Sequence, residues 1–485
     1  MSLIQIFSLA LLVLAFAVAI ARHINVGLTT IPAGFLLCVV AGVPVDTYYA
    51  QFPGSLVLLI LGVTLLFTHA HRSGAIDRLT DLAVGATGRR DWVLPWIMFL
   101  LAAVLSGIGA LPAAALAIVV PIAMGTAHRR GINLTLMGLV TISGALAGGF
   151  SPLSVWGQLI VTLTDKAHRP ISHLGMFVIE FLLQVVVALV AFLVFGGIAL
   201  MRRPPGAAPG EEREAGQELA QAPGEPETWP SGAAPGTSSG SGKAVAVRPA
   251  AARRTTAPGT ATAPQATAPA GTATSTAAPA APAPAGVTPY QVTSLLGIAA
   301  FVAIVLVFDA DVGLTAFSVA LVLQVLHRPA EKEMLRGLPW SVVLVITGVL
   351  LYVGVLQQVG TLDAIEKHLG GIESLGLSIL VLGFVGSLFA SFESSSVAVL
   401  GLVIPVAIKI TSGVSSTALL LILSAVSWAI VVSSPSPYHV SGGLVLASSP
   451  DAEQQGLFRR LLLWAVCVAA TVPLFGWLLP TLGPS

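Results

Sequence analysis

Two apolar runs, Leu380–Ala390 and Val397–Ile408, flank Glu393 and three serines, Ser394, Ser395 and Ser396. Each run is too short to cross a bilayer alone. Together they read as a helical hairpin whose polar tip sits at membrane depth. Backbone outside a helix is tolerated there only where protein covers it or a cavity runs beside it. An ionisable residue at that depth is costly and points to function. The rest of the chain agrees with a membrane setting. Of 485 residues, 55% are hydrophobic and 9% are charged, with a net charge of +1, which excludes an ordinary soluble domain. The balanced charge gives no nucleic-acid signal. Cys38 and Cys467 both lie in apolar runs without a nearby cysteine partner and read as packing residues.

Taken in order, residues 3–22, 27–43 and 52–70 are the first candidate spans. Ser73–Arg90 has the apolar spacing of a short helix lying at the interface. Trp92–Leu105 and Ala113–Ala127 flank the glycine-rich Ser106–Pro112 and read as a first hairpin. Leu134–Gly148 and Val155–Leu163 are halves of one span broken at Gly148, Gly149 and Pro152. Ile171–Leu200 is long enough for a tilted span and contains Glu180, a carboxylate open to a functional or a paired structural reading. Residues 204–287 are Ala, Pro, Thr, Gly and Ser with an acidic patch and no period that would bury a face, the composition of a disordered linker. Spans at Val292–Phe308, Val312–Leu326 and Pro339–Val355 follow. After them come the short amphipathic Leu362–Leu369, the Glu393 hairpin, a span broken at Ser433–Pro437, and Leu461–Leu479.

The two halves repeat. Asn25-Val26-Gly27-Leu28-Thr29 aligns with Asp311-Val312-Gly313-Leu314-Thr315, 286 residues on, and the same offset pairs Pro53 with Pro339, Gly62 with Gly348 and Asp77 with Asp363. Pro121 pairs with Pro405, Pro152 with Pro437, and Gly157 with Gly442 at nearly that offset. The expected fold is an all-α polytopic membrane protein of two inverted-topology repeats. Each has five transmembrane helices, one of them broken, plus a re-entrant helical hairpin. The expected divisions are 1–203, a cytoplasmic linker at 204–287, and 288–485. Five crossings per half turn the second half over. With both termini outside, 14 Lys and Arg fall on the cytoplasmic side and 4 outside, linker excluded. Inverted repeats with hairpins and broken helices suit alternating access.

On these features the chain resembles the ion-transporter superfamily of divalent-anion/sodium symporters, and its first half is similar to the N-terminal domain of the bacterial dicarboxylate (malonate) carrier. That superfamily places Ser-Asn-Thr motifs at the hairpin tips, about ten residues before a proline. The matching positions here are Leu111-Pro112-Ala113, which departs from the motif, and Ser395-Ser396-Val397, which keeps serine character. The resemblance implies a secondary transporter of a small organic anion, a C3–C4 dicarboxylate, coupled to sodium or protons and resident in the inner (plasma) membrane.

A carboxylate substrate needs donors. Ser394, Ser395 and Ser396, with Ser434 and Ser436, can supply hydroxyls, as can Ser151 and Ser154 from the first half, and His439 can face the same space. Helix N-termini after each break add N–H groups. For cation coupling the candidates are Glu393, Ser106, Gly109 and Gly149, with Na+ or H+ as the coupling ion and no other cofactor expected. Glu393 could ligate a cation or titrate. Partners are the small anion and the bilayer, with a homodimer one arrangement open to such a chain. No Cys/His cluster, paired hydrolase carboxylates or ATPase phosphate loop occurs. A carrier of an inorganic anion or another small solute is the alternative, and an integral-membrane enzyme the reading from another class.

Overall fold

The computed structural model describes residues 1–86, 90–203, 287–369, 375–392 and 396–478. Glu393, Ser394 and Ser395 lie outside these, as does the expected linker except for Val287. Among the described residues the chain is helical and has no strand. The first half holds α1 (Leu3–Arg22), α2 (Val26–Ala41), α3 (Val45–Tyr49), α4 (Gly54–Arg72), α5 (Ala75–Ala86), α6 (Leu94–Gly107), α7 (Pro112–Arg129), α8 (Leu134–Gly148), α9 (Val155–Lys166), α10 (His173–Val194) and α11 (Gly197–Arg202). The second holds α12 (Pro289–Phe308), α13 (Val312–His327), α14 (Glu331–Arg336), α15 (Trp340–Gln358), α16 (Thr361–Leu369), α17 (Leu375–Phe392), α18 (Ser396–Ile410), α19 (Ser416–Val431), α20 (Val440–Ala447) and α21 (Asp451–Leu478). Seven segments are long and apolar enough to cross a membrane: α1, α3 with α4, α7, α10, α12, α15 and α21. One of these, α7, was read from the sequence as a hairpin limb. The expected span Ile171–Leu200 is two helices, because Gly196 takes φ +97° and turns the chain before α11.

Local chemistry repeats with the sequence. Ser2 and Gln5 form a capping box at α1, and Thr288 and Gln291 form one at α12. Asn25 caps α2 and Asp311 caps α13. His23 and Asp309 end the preceding helices in the left-handed region, at φ 53° and 51°. Pro53 and Pro339 start α4 and α15 with almost the same backbone angles. Each of these pairs is 286 residues apart.

Packing between the halves is reciprocal. Helix α2 lies against α15, and α4, the counterpart of α15, lies against α13, the counterpart of α2. Glycine permits both approaches. A Cβ at Gly348 would sit 2.7 Å from Gly27 Cα, and one at Gly313 would sit 2.7 Å from the Leu59 nitrogen. Such small-residue seams are how helices associate where lipid is as apolar as the side chains. The broken helices exchange in the same way, with α9 meeting α18 and α20 meeting α7.

Two groups of polar contacts tie segments together away from the cavity. One joins His69 to Tyr290, Arg72 to Glu333, Arg130 to Asp91, Arg203 to the Arg130 carbonyl and His128 to Glu453. The other joins Gln5 to Gly360, Ser8 to Thr361, Lys409 to Asp363, and Arg169 to the carbonyls of Thr411 and Val414. No contact named in one set shares a residue with the other.

Candidate functional site

A cavity of about 730 Å³ opens between the halves. Its walls come from the first turns of six helices: Asn25 and Val26 at α2, Pro112 and Ala113 at α7, Trp156 at α9, Ser341 at α15, Ser396 and Val397 at α18, and Val440 and Ser441 at α20. The end of α1 adds Ala19, Ile20 and His23. Helix N-termini carry unpaired N–H groups and a partial positive charge, so their convergence favours an anion. Among the described residues no Lys, Arg, Asp or Glu lines it.

The two sides of the cavity differ. On the second half's side, Ser396 Oγ lies 3.3 Å from Ser434 Oγ and 3.4 Å from His439 Nε2. His439 is the N-cap of α20, and its Nδ1 accepts the Ser441 N–H at 3.1 Å. That bond leaves Nδ1 without a proton, so the neutral ring carries its hydrogen on Nε2, toward Ser396 and the cavity. Opposite, Leu111, Pro112, Ala113, Leu146 and Trp156 make an apolar wall. The site therefore offers hydroxyl and imidazole donors on one side and a surface for a carbon skeleton on the other.

The break after α8 is the counterpart of the break after α19, but its hydroxyls are engaged in its own turn. Ser154 caps α9, donates to the carbonyls of Gly149 and Ser151, and accepts from the Gly157 N–H. Ser151 Oγ accepts from Leu153 N at 3.2 Å, as Ser436 Oγ accepts from Tyr438 N at 3.4 Å, 285 residues on. A Cβ on Gly157 would run into the Ser151 carbonyl, and one on Gly442 into the Ser436 carbonyl. The same tight turn thus occurs twice, with serine at one N-cap and histidine at the other.

Of the sequence-derived substrate candidates, Ser396 and His439 line the cavity and Ser434 touches Ser396 behind it. Ser151, Ser154 and Ser436 stand in the breaks, and Ser394 and Ser395 lie outside the described residues. Of the coupling candidates, Ser106 is fully buried, and its Oγ has no hydrogen-bond partner among the described residues. It packs beside Gly148, where a Cβ would come within 2.9 Å of its own Cβ. Gly149 lies against Pro112 and Trp156, and Gly109, at φ +123°, against Val63 and the Leu153 carbonyl. Three of the four therefore surround the first break; Glu393 lies outside the described residues. Among the described residues no group of three or more His, Cys, Asp and Glu side chains could hold a metal ion.

Sequence reasoning missed Asn25, Ser341, Tyr438 and Trp156 as cavity residues. Asn25 and Ser341 both belonged to the repeated segments and are joined by the Asn25 side chain, which donates to the Ser341 carbonyl at 2.8 Å. Their matches across the repeat were the available signal.

Residues 1–149 match the family model described as "Dicarboxylate carrier protein MatC N-terminus". The match covers α1 to α8, including the α6–α7 pair whose tip lines the cavity. Over those residues it bears out the resemblance read from the sequence. A comparison with curated proteins finds no match.

Proposed function

We propose that this protein, whose residues 1–149 match a dicarboxylate-carrier family model, is a secondary active transporter of a small organic anion, a C3–C4 dicarboxylate, working by alternating access and coupled to a sodium or proton gradient. The carrying observation is the cavity itself: six helix N-termini converge on a space with hydroxyl and imidazole donors and, among the described residues, no acidic side chain in its lining. One carboxylate would meet Ser396, the His439 Nε2 hydrogen and the N–H groups of α18 and α20. The other would meet the N-terminus of α7, with the carbon chain along Pro112, Leu146 and Trp156. That apolar wall favours an organic over an inorganic anion.

The inverted repeat fits the recurring caps, the constant offset and the reciprocal packing of α2 with α15 and α4 with α13. In this reading α6–α7 and α17–α18 are re-entrant hairpins. The two sets of polar contacts support the two membrane faces derived from charge. Arg72, Arg130 and Arg203, which the charge reading puts in the cytoplasm, fall in one set, and Lys409 and Arg169, which it puts outside, fall in the other. The cavity reaches His23, Asn25 and Ser341, which belong to the cytoplasmic side, so the conformation corresponds to an inward-facing state in the plasma membrane. Glu393 and the free Ser106 hydroxyl beside the first break are the proposed contacts of the coupling ion, with Gly109 and Gly149 shaping that break.

Purified protein in proteoliposomes should take up labelled malonate or succinate when a sodium or proton gradient is imposed, without ATP. A panel of mono- and dicarboxylates, sulfate and phosphate separates the readings. No carboxylate uptake under either gradient would remove the proposal, and uptake of sulfate alone would turn it toward an inorganic-anion carrier.

A further inference from the structure

Glu180 stands in the middle of α10, away from the cavity, and is fully buried. Neither carboxyl oxygen has a hydrogen-bond partner among the described residues. Gln184, one turn on, is also fully buried, and both its amide atoms are unpartnered among those residues. Residues four apart share a helix face and can reach each other.

The helices packed on α10 supply no counter-charge. Helices α6, α8 and α19 contain no titratable residue. Helix α9 has Asp165 and Lys166, exposed in its last turn, and α11 has the exposed Arg202. Helix α21 carries Asp451, Glu453, Arg459 and Arg460 before Trp464, which meets Phe195 beyond the far end of α10. On α10 itself His173 is exposed and about 10 Å along the axis. An isolated carboxylate in such surroundings is strongly disfavoured, so its charge must be met by something that arrives from outside. Two carboxyl oxygens and one amide oxygen are too few for a sodium ion's shell, whereas a proton needs one oxygen and a nearby acceptor.

The position has a mechanical consequence. Helix α10 belongs to the first half and α19 to the second. They meet along one side, where Gly175 faces Leu420, Met176 accepts from Ser424 Oγ, and Val187 packs with Trp428. Rocking of one half against the other must rework this seam.

We propose that Glu180, with Gln184 one turn along the same helix face, is a proton-binding site at the seam between the halves, separate from the substrate cavity, whose loading controls the movement between inward- and outward-facing states. This rests on the transport reading above. Substrate counterflow in proteoliposomes, with labelled malonate outside and unlabelled inside, needs no ion gradient and tests that reading by itself. It should be measured across pH for wild type, Glu180→Gln and Glu180→Leu, the leucine variant serving if the glutamine variant does not accumulate. A rate limited by one bound proton changes about tenfold per pH unit on its limiting side. Wild type should show that dependence and both variants should lose it, with less than about a twofold change in the substrate concentration giving half-maximal rate. Malonate-induced infrared difference spectra should also show a carboxylic-acid C=O band in wild type that is absent from the variants. Variants with the wild-type pH profile and band overturn the proton site while counterflow persists. Absence of counterflow in wild type overturns the transport reading and the proton site with it.

Discussion

His439 serves two purposes at once. Its Nδ1 caps α20, and its Nε2 faces Ser396 at the cavity. Substitution can separate them. His439→Ala should lose about 1 kcal/mol of stability with the cap and also the cavity donor. His439→Asn keeps a capping oxygen, so its thermal midpoint in detergent should stay near wild type while malonate uptake falls. Equal loss of stability in both variants would show that the cap does not depend on Nδ1. Ser396→Ala removes the hydroxyl shared with Ser434 and His439. A lost hydrogen bond to a charged group is worth about 1.5–3 kcal/mol, so apparent malonate affinity should fall by at least tenfold with little change in stability. Glu393 tests coupling. At the hairpin offset of 284 residues its first-half counterpart is Gly109, so the halves are chemically unequal there. Glu393→Gln should shift the sodium or pH titration of uptake more than the malonate titration. Unchanged titrations at normal rates would leave Glu393 a structural residue.

At the level of elements, the α2–α15 and α4–α13 seams depend on glycine for close approach rather than for unusual torsions. A side chain at Gly27 or Gly313 must displace backbone of the facing helix, since the atoms met are the main chain of Leu344 and of Leu59. Overpacking of this kind costs about 1–3 kcal/mol. Gly27→Val and Gly313→Val should therefore lower the detergent melting temperature by similar amounts, because the two seams are counterparts. A loss confined to one of them would show that the seams do not bear equal load. At the breaks, Gly157 and Gly442 face the carbonyls of Ser151 and Ser436 in the same manner, and their alanine variants should suffer alike.

For the whole molecule, the described residues of both halves form one compact unit, with cross-half contacts at α2–α15, α4–α13, α7–α20 and α9–α18. Neither half buries these seams alone. Expression of 1–203 and 288–485 as separate chains should restore uptake only when both are present. Removing most of 212–286 should leave uptake within about twofold of wild type, as its Ala, Pro, Thr, Gly and Ser composition offers no face to bury. Impermeant thiol labelling of single cysteines in a Cys-free background should reach residues near Ser2 and Lys409 from outside. Labelling near Arg72 and Arg203 should occur only after the membrane is opened. The reverse pattern would turn the charge reading over.

The all-helical class, helices apolar and long enough to cross a membrane, the helix order, both breaks and the matching caps were legible in the chain, because each rests on local properties. Apolar length, Pro and Gly punctuation, and matched caps act over a few residues and survive in a linear string. Ser396 and His439 were legible for the same reason, as polar residues stranded in apolar runs. What only the tertiary structure decided was company. Leu111, Pro112 and Ala113, an apolar tip in the sequence, joined Ser396 in lining one cavity. Asn25 and Ser341 met because α2 packs on α15. Ser151 and Ser154 turned inward to the carbonyls of their own break. Glu180 and Gln184 were buried with no hydrogen-bond partner among the described residues. Each of these depends on which helix faces are pressed together, and in a chain this uniformly apolar many faces could pair. Small residues such as Gly27 and Gly313 make the choice, and their effect exists only once two helices are close enough for a Cβ to collide.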